Sequence, residues 1–178
     1  MSWQLVHLGD VQPQAWKNGG GTTRELLAWP LATDWRVRLS VAEVQTDGPF
    51  SRFDGVQRCF AVLHGSGVRL VVDGQAHVLT PASEPLAFDG GADTQCTLLG
   101  GATQDFNLMA RGGDAVLQRV QGPMVLAASP ALLQAVYAVS APALLGQLTL
   151  PPHTLAWRLG GKATGVQGSD ALWMEVRT

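Results

Sequence analysis

The chain has 178 residues, of which 46% are hydrophobic and 15% are charged, and its formal net charge is −2. An ordinary globular protein carries about 25% charged residues, so this chain is poor in charge and rich enough in apolar residues to bury a substantial core. This composition excludes a disordered protein, which would need few apolar residues and many charges. The slight negative charge and the absence of any run of Lys or Arg argue against binding to nucleic acid or to an anionic membrane.

The amino-terminal residues MSWQLVHLGD lack the basic and apolar regions of a secretory signal peptide. Cys59 and Cys96 are the only cysteines, and they form neither a CxxC pair nor a disulfide framework. Both observations predict a cytoplasmic protein.

The first predicted elements are short strands separated by Gly and Pro. Residues 35–41 alternate between apolar and polar side chains, as a strand with one apolar face does. Residues 59–63 are apolar throughout and predict a fully buried strand. The Asp73-Gly74 pair between two apolar runs predicts a type I′ hairpin, which would place Leu70 opposite His77.

The second half of the chain shows the same pattern of short predicted strands. Further strands are predicted at 95–99, 106–111, 115–120, 136–140, 148–150, 155–159 and 171–177. Residues 120–157 contain no charged side chain, but prolines interrupt them, so they lack the roughly 20 successive apolar residues of a membrane helix and predict buried strands. Short helical turns are predicted at 130–134 and 143–147. Many short strands with Gly/Pro turns predict an antiparallel barrel or sandwich.

The histidines give no metal-site pattern. His7, His64, His77 and His153 are far apart, and no HxH, HExxH or Cys/His cluster is present. We therefore expect no metal and no other cofactor.

Three segments are dense in residues that could bind a small molecule. The first, WKNGGGTTRE at 16–25, combines three glycines, whose N–H groups can converge on an anion, with cationic and hydroxyl side chains; the alternative is a flexible surface loop. The second, 47–58, ends on Arg58 immediately before the buried strand, where a guanidinium could be held at the mouth of the sheet; the alternative is an ordinary surface arginine. The third, DFNLMAR at 105–111, has one polar face that points either to solvent or into a ligand-holding interior.

The motifs WKNGGGTTREL, RLSVAEVQTDGPFSRFDGVQR and DFNLMARGG, in this order and spacing, resemble the HutD/Ves family of bacterial proteins over residues 3–113. The resemblance implies an all-β, cupin-like fold, that is, an RmlC-like jelly-roll barrel. It further implies a bicupin, a single compact unit over residues 1–178 with two cupin-like β lobes whose boundary falls near 110–125. Family names refer to histidine utilisation or to a stress response, and no reaction is established for the family.

The resemblance also assigns motif positions in this chain. Those expected to bind a ligand are Lys17, Asn18, Thr23, Arg24, Arg38, Ser40, Ser51, Arg58, Asn107 and Arg111. Trp16, Glu25, Phe50 and Asp105 complete the motif. A cupin without clustered histidines implies an organic pocket rather than a metal-centred one.

Three functions are compatible with these features. The favoured one is a binding protein, with a regulatory or stress-related role, for a small organic carboxylate such as urocanate or formylglutamate, with Arg58 as the carboxylate clamp. The second is a metal-independent isomerase or hydrolase of a small acid, with Glu25 as the base. The third is an interaction protein without a small ligand. The favoured one ranks first because no nucleophile–base pair is apparent; a homodimer is compatible with all three.

Overall fold

The computed structural model describes residues 2–112 and 114–177, and the side chains of all of these except 131 and 132. Its regular elements are β-strands and one short 3₁₀ turn, with no α-helix among these residues. The strands of the first part are β1 (Gln4–His7), β2 (Gln14–Ala15), β3 (Gly21–Leu31), β4 (Asp34–Val44), β5 (Gly48–Pro49), β6 (Val56–His64), β7 (Val68–Val72), β8 (Gln75–Leu79), β9 (Leu86–Asp89), β10 (Thr94–Leu98) and β11 (Thr103–Arg111), and the 3₁₀ turn is Leu8–Asp10. Those of the second part are β12 (Ala115–Arg119), β13 (Met124–Leu126), β14 (Ser129–Ala138), β15 (Ala143–Leu145), β16 (Leu148–Leu150), β17 (Thr154–Gly161), β18 (Thr164–Gly168) and β19 (Ala171–Arg177).

The chain divides into two compact units. The central unit is Gln12–Gly112, and the terminal unit combines the amino-terminal residues up to Val11 with the residues after 113. The central unit contains a six-stranded sheet in the order β2-β3-β4-β11-β6-β9 and a four-stranded sheet in the order β5-β10-β7-β8. The terminal unit contains a five-stranded sheet, β1-β17-β14-β19-β12, and a four-stranded sheet, β13-β18-β15-β16. The prediction of an all-β chain of antiparallel strands is therefore confirmed.

The two units share one strand topology. Within the larger sheets, the central order β4-β11-β6-β9 corresponds to the terminal order β12-β19-β14-β17. The smaller sheets correspond in the same way, so the run β4 to β11 matches the run β12 to β19 strand by strand.

The core of the central unit lies between its two sheets. Val44, Phe60 and Val62 of the six-stranded sheet pack with Val68, Leu70, Leu79 and Cys96 of the four-stranded sheet. Burial raises the pKa of Cys59 to about 11 and that of Cys96 to about 12, which keeps both thiols protonated and unreactive at neutral pH.

The predicted hairpin is confirmed in detail. Leu70 lies opposite His77, and the turn residues Asp73 and Gly74 have φ values of 46° and 82°, the positive angles that a type I′ turn requires. The uncharged segment 120–157 does form strands, β13 to β16 and the start of β17. No helix within the described residues is long and apolar enough to cross a membrane.

The two predicted helical turns are wrong. Residues 130–134 belong to strand β14, and 143–145 form β15. Each of these strands pairs with a strand on both sides, β14 with β17 and β19 and β15 with β16 and β18. Cross-strand pairing thus overrides the weak local helix preference of Ala-Leu-Leu after a proline.

Candidate functional site

The central unit contains a cavity of about 470 Å³, within the usual size range of small-molecule sites. Its wall consists of side chains from one face of the six-stranded sheet, from the loop before β3 and from the segment around β5. The lining residues are Ala15, Trp16, Lys17, Asn18, Thr23, Arg38, Ser40, Ala42, Val44, Pro49, Phe50, Ser51, Phe53, Arg58, Phe60, Asn107 and Met109.

Strand register explains why the polar residues meet. Met109 on β11 lies between Arg38 on β4 and Arg58 on β6, and in the next row Asn107 lies between Ser40 and Phe60. Because side chains alternate along a strand, alternate residues over 38–44 of β4, 58–60 of β6 and 107–109 of β11 face the cavity. The polar face of β11 therefore points into the interior, which answers the question that its sequence pattern left open.

Arg58 is the most deeply buried cation of the cavity, with 5% of its surface exposed. Its Nη2 donates to Asn107 Oδ1 at 2.8 Å, and its Nη1 donates to the Ser51 carbonyl oxygen over a long 3.5 Å. Its Nε has no hydrogen-bond partner. Within the described part of the chain, no Asp or Glu forms an ion pair with it.

Aromatic rings hold the Arg58 guanidinium in place. Its Cζ lies 5.1 Å from the centre of the Phe50 ring, 5.3 Å from that of Phe88 and 6.0 Å from that of Phe53. Such cation–π contacts compensate part of the desolvation but leave the charge uncompensated. Desolvation, with the nearby positive charge of Arg38, lowers the pKa of Arg58 to about 10, so the group remains cationic at neutral pH.

Arg38 differs from Arg58 because it has a carboxylate partner. Its Nε lies 2.6 Å from Glu25 Oε2, although the N–H is not aligned on the oxygen as in a good hydrogen bond. Glu25 is thereby occupied as a counter-ion and does not belong to the cavity lining.

The segment that carries Phe50 and Ser51 is anchored on the four-stranded sheet. The Phe50 N–H donates to the Thr94 carbonyl at 2.9 Å, and the Leu98 N–H donates to Asp47 Oδ1 at 2.8 Å. The Phe53 N–H is bound to the Gly90 carbonyl at 2.7 Å. These bonds fix the aromatic wall against Arg58.

The glycine loop contributes side chains rather than N–H groups to the cavity. The Gly19 N–H donates to the Trp16 carbonyl at 3.0 Å, and the Gly20 N–H donates to Asn18 Oδ1 at 2.9 Å. Gly21 is required sterically, since a Cβ there would lie 2.1 Å from the Glu43 carbonyl oxygen. The loop presents Trp16, whose Nε1 donates to Thr23 Oγ1 at 2.8 Å, together with Lys17 and Asn18.

Eight of the ten predicted ligand-binding residues line this cavity: Lys17, Asn18, Thr23, Arg38, Ser40, Ser51, Arg58 and Asn107. Arg24 and Arg111 lie outside the lining. Strand alternation turns Arg24 away from the face of Thr23, and the Arg111 guanidinium stacks 4.2 Å from the centre of the Trp35 ring.

Most of the apolar wall of the cavity was not predicted from the sequence. Ala42 and Val44 could have been found by continuing the alternation of Arg38 and Ser40 along β4, and Met109 by continuing that of Asn107 along β11, whereas Phe53 and Phe60 carry no local signal of a cavity. The pairing of Arg38 with Glu25 was not predicted either.

Asp105 lies in the interior, on the same face of β11 as Asn107. It is fully buried, accepts a hydrogen bond from Thr103 Oγ1 at 2.7 Å on Oδ2, and has no partner on Oδ1. Desolvation raises its pKa to about 7, against the smaller opposing effect of the Thr103 hydrogen bond. In the described ranges, no three His, Cys, Asp or Glu side chains lie close enough together to hold a metal ion.

Several known proteins resemble this chain. The HutD from Pseudomonas fluorescens SBW25, solved in a formate condition, is 30% identical with a TM-score of 0.89, and the match covers 99% of this chain and 98% of that one. A bacterial pirin from Escherichia coli and an oxalate decarboxylase from Bacillus subtilis, at 10% and 8% identity with TM-scores of 0.71 and 0.66, share the cupin-type fold.

Curated relatives match over shorter stretches. An uncharacterised Pseudomonas putida protein, named for its place in the hutC 3′ region, is 42% identical over 60% of this chain, and Protein Ves from Escherichia fergusonii is 38% identical over 54%. These matches span 57% and 51% of the two relatives. The HutD family model matches residues 9–174, nearly the whole chain, and the chain therefore belongs to the HutD family.

Proposed function

We propose that this protein binds a small organic carboxylate in the cavity of its central unit. The observation that carries the proposal is Arg58, a buried guanidinium that faces a cavity and has no acidic partner among the described residues. A carboxylate ligand would supply the missing counter-charge and accept hydrogen bonds from the guanidinium, in a charge-assisted contact.

The rest of the cavity suits such a ligand. Lys17 and Arg38 add positive charge, Ser40 and Thr23 add hydroxyl groups, and the aromatic residues offer a flat apolar surface. Urocanate and formylglutamate are the first candidates, because a relative of this family is named for a histidine-utilisation gene region. The protein would then act in the cytoplasm as a regulatory or stress-related binding protein.

We also propose that the chain is a bicupin. A bicupin, with one cupin-like lobe in each unit, is supported by the matching order of β4 to β11 and β12 to β19. The cavity then belongs to the lobe formed by the central unit.

The test is calorimetric titration of the wild type with urocanate, formylglutamate and formate. Losing one partner of a desolvated charge pair costs about 2–5 kcal/mol, so Arg58→Ala is expected to weaken binding by about 30-fold or more while the fold survives. Arg52→Ala is the matched control, because Arg52 is exposed and pairs with Asp93 at 3.4 Å on the surface, and it should change affinity little.

Equal affinity in the wild type and Arg58→Ala would place the carboxylate elsewhere. Binding of none of the three acids would contradict the proposal and leave an interaction protein. Turnover of a bound acid that is lost in Glu25→Gln would instead favour the enzyme alternative.

A further inference from the structure

The terminal unit contains a polar cluster at the place that corresponds to the cavity. Strand β14 of this unit corresponds to β6, and β19 corresponds to β11. Phe60 of β6 and Val136 of β14 each belong to the core between the two sheets of their unit. Two residues before these core positions stand Arg58 and Gln134, which therefore occupy corresponding places on the inner face.

In the terminal unit this place is filled by hydrogen-bonded side chains. Arg158 of β17 donates to Gln134 Oε1 from Nε at 3.1 Å and from Nη2 at 2.7 Å. Gln134 Nε2 in turn donates to Glu175 Oε1 of β19 at 2.7 Å. The strand register brings the three residues together, since Gln134 lies opposite both Arg158 and Glu175.

The Arg158 guanidinium is covered on two sides. Its Cζ lies 4.2 Å from the centre of the Trp3 ring, and a Cβ at Gly161 would lie 2.6 Å from the same Cζ, so the backbone of this glycine packs closely against the guanidinium. Nη2 also donates to the Lys162 carbonyl at 2.7 Å.

The two places differ in where the counter-charge comes from. The cluster in the terminal unit contains its own carboxylate, Glu175, linked to Arg158 through Gln134. The hydrogen bond from Arg58 ends on the neutral amide of Asn107 instead.

We propose that the Arg158–Gln134–Glu175 cluster is a carboxylate site closed by the chain's own side chains, in which Glu175 takes the place of a ligand. Each chain therefore binds one small carboxylate, in the central unit, and removal of the Glu175 carboxylate opens a second site. The stoichiometry of one carboxylate per chain rests on the proposed function, whereas the inference of a closed site in the terminal unit does not.

The experiment uses thermal melts in an Arg58→Ala background, which removes the clamp of the cavity. Glu175→Ala should lower the melting temperature by about 5 °C, because the counter-charge of a buried network is lost. Sodium formate should restore most of this loss, and sodium chloride at the same ionic strength should not. Arg58→Ala alone and Arg58→Ala with Glu175→Gln should not respond to formate, since the first has lost the clamp of the cavity and keeps Glu175 in place, and in the second an amide fills the place of the carboxylate.

Titration of the wild type should give one carboxylate per chain. Two equivalent sites per chain, or a formate response of the Glu175→Ala variant no larger than that of its background, would overturn the proposal. A wild type that binds no acid would contradict the proposed function. The formate response of the Glu175→Ala variant would still test the closed site in that case. If Glu175→Ala does not fold, Glu175→Ser in the same background also removes the carboxylate, keeps Gln134 and Arg158, and should respond to formate in its place.

Discussion

Arg58 and Arg158 are both buried, at 5% and 4% exposure, and both lie against aromatic rings. They differ in their hydrogen bonds. Arg158 donates to a side-chain amide and a backbone carbonyl at 3.1 Å or less, in a network that ends on a carboxylate. Arg58 has one short hydrogen bond, an unpartnered Nε and a cavity in front of it. Burial alone therefore does not distinguish the two arginines; the hydrogen-bonding capacity that Arg58 leaves unfilled beside a cavity is what makes it the candidate for binding a ligand.

The largest expected effect is on stability. Arg158→Ala should lower the free energy of unfolding by about 3–5 kcal/mol, because it leaves Gln134 Oε1 and the Lys162 carbonyl without their donor and removes the cation that compensates Glu175. Arg58→Ala should cost only about 1 kcal/mol, since it also removes an uncompensated buried charge. Urea unfolding of both variants measures the difference. Equal losses would mean that Arg58 is as much a structural residue as Arg158.

Asp105 extends the comparison to a buried acid. Its pKa of about 7 lies above its usual value of 3.8, so the folded state holds a proton that the unfolded state releases between these values. The contribution of Asp105 to the free energy of unfolding is therefore fully present below about pH 4. It decreases by on the order of 3 kcal/mol as the pH rises towards 7.

Asp105→Asn should remove this decline, because an amide still accepts the Thr103 hydrogen bond and cannot ionise. The check is urea unfolding from pH 4.5 to 8 for the wild type and the variant. Asp93→Asn, which changes an exposed carboxylate, should follow the wild type. A wild-type stability that does not decline over this range relative to Asp105→Asn would contradict the burial argument.

A smaller effect is expected from giving Arg58 an internal acid. Asn107→Asp places a carboxylate 2.8 Å from Nη2, where it imitates the closed arrangement of the terminal unit. Affinity for a small carboxylate should fall by about tenfold. Asn18→Asp adds the same charge at the exposed rim and keeps the acceptor for the Gly20 N–H, so its effect should be clearly smaller. Titration of the two variants with a small carboxylate measures the two affinities. Equal losses of affinity would indicate a general charge effect rather than a competition between the introduced carboxylate and the ligand for Arg58.

The smallest effect concerns Arg38, the second arginine of the cavity, whose charge Glu25 already compensates. Glu25→Gln removes the counter-ion of Arg38 and should raise carboxylate affinity by about threefold, as a partly exposed pair is worth about 1 kcal/mol or less. Glu43→Gln, on the exposed face of β4, should leave affinity unchanged. Weaker binding in Glu25→Gln would mean that Glu25 positions Arg38 for the ligand.

The sequence was sufficient for the parts of the fold that local chemistry determines. The Asp73-Gly74 turn and the register of Leu70 with His77 follow from two turn residues between apolar runs. The helical turn predicted at 130–134 failed because β14 is stabilised by β17 and β19, which follow later in the chain.

The same limit applies to the site. The motifs contain most of the polar residues that line the cavity. The contact of Arg58 with Asn107, however, joins residues 49 positions apart and depends on the pairing of β6 with β11. The Arg158–Gln134–Glu175 cluster was not predicted at all, because its three residues stand in otherwise apolar strands without a motif.

We expect Arg58 to be available to a carboxylate and Arg158 to be closed to it. The most direct measurement is a ¹⁵N–¹H spectrum of the arginine Nε–H groups, assigned with Arg58→Lys and Arg158→Lys, during titration with formate or urocanate. We expect the Arg58 Nε–H resonance to shift because the carboxylate binds its guanidinium, while that of Arg158, already bound to Gln134, stays in place. A bound carboxylate that leaves the Arg58 resonance unmoved, or that moves Arg158 instead, would contradict this expectation.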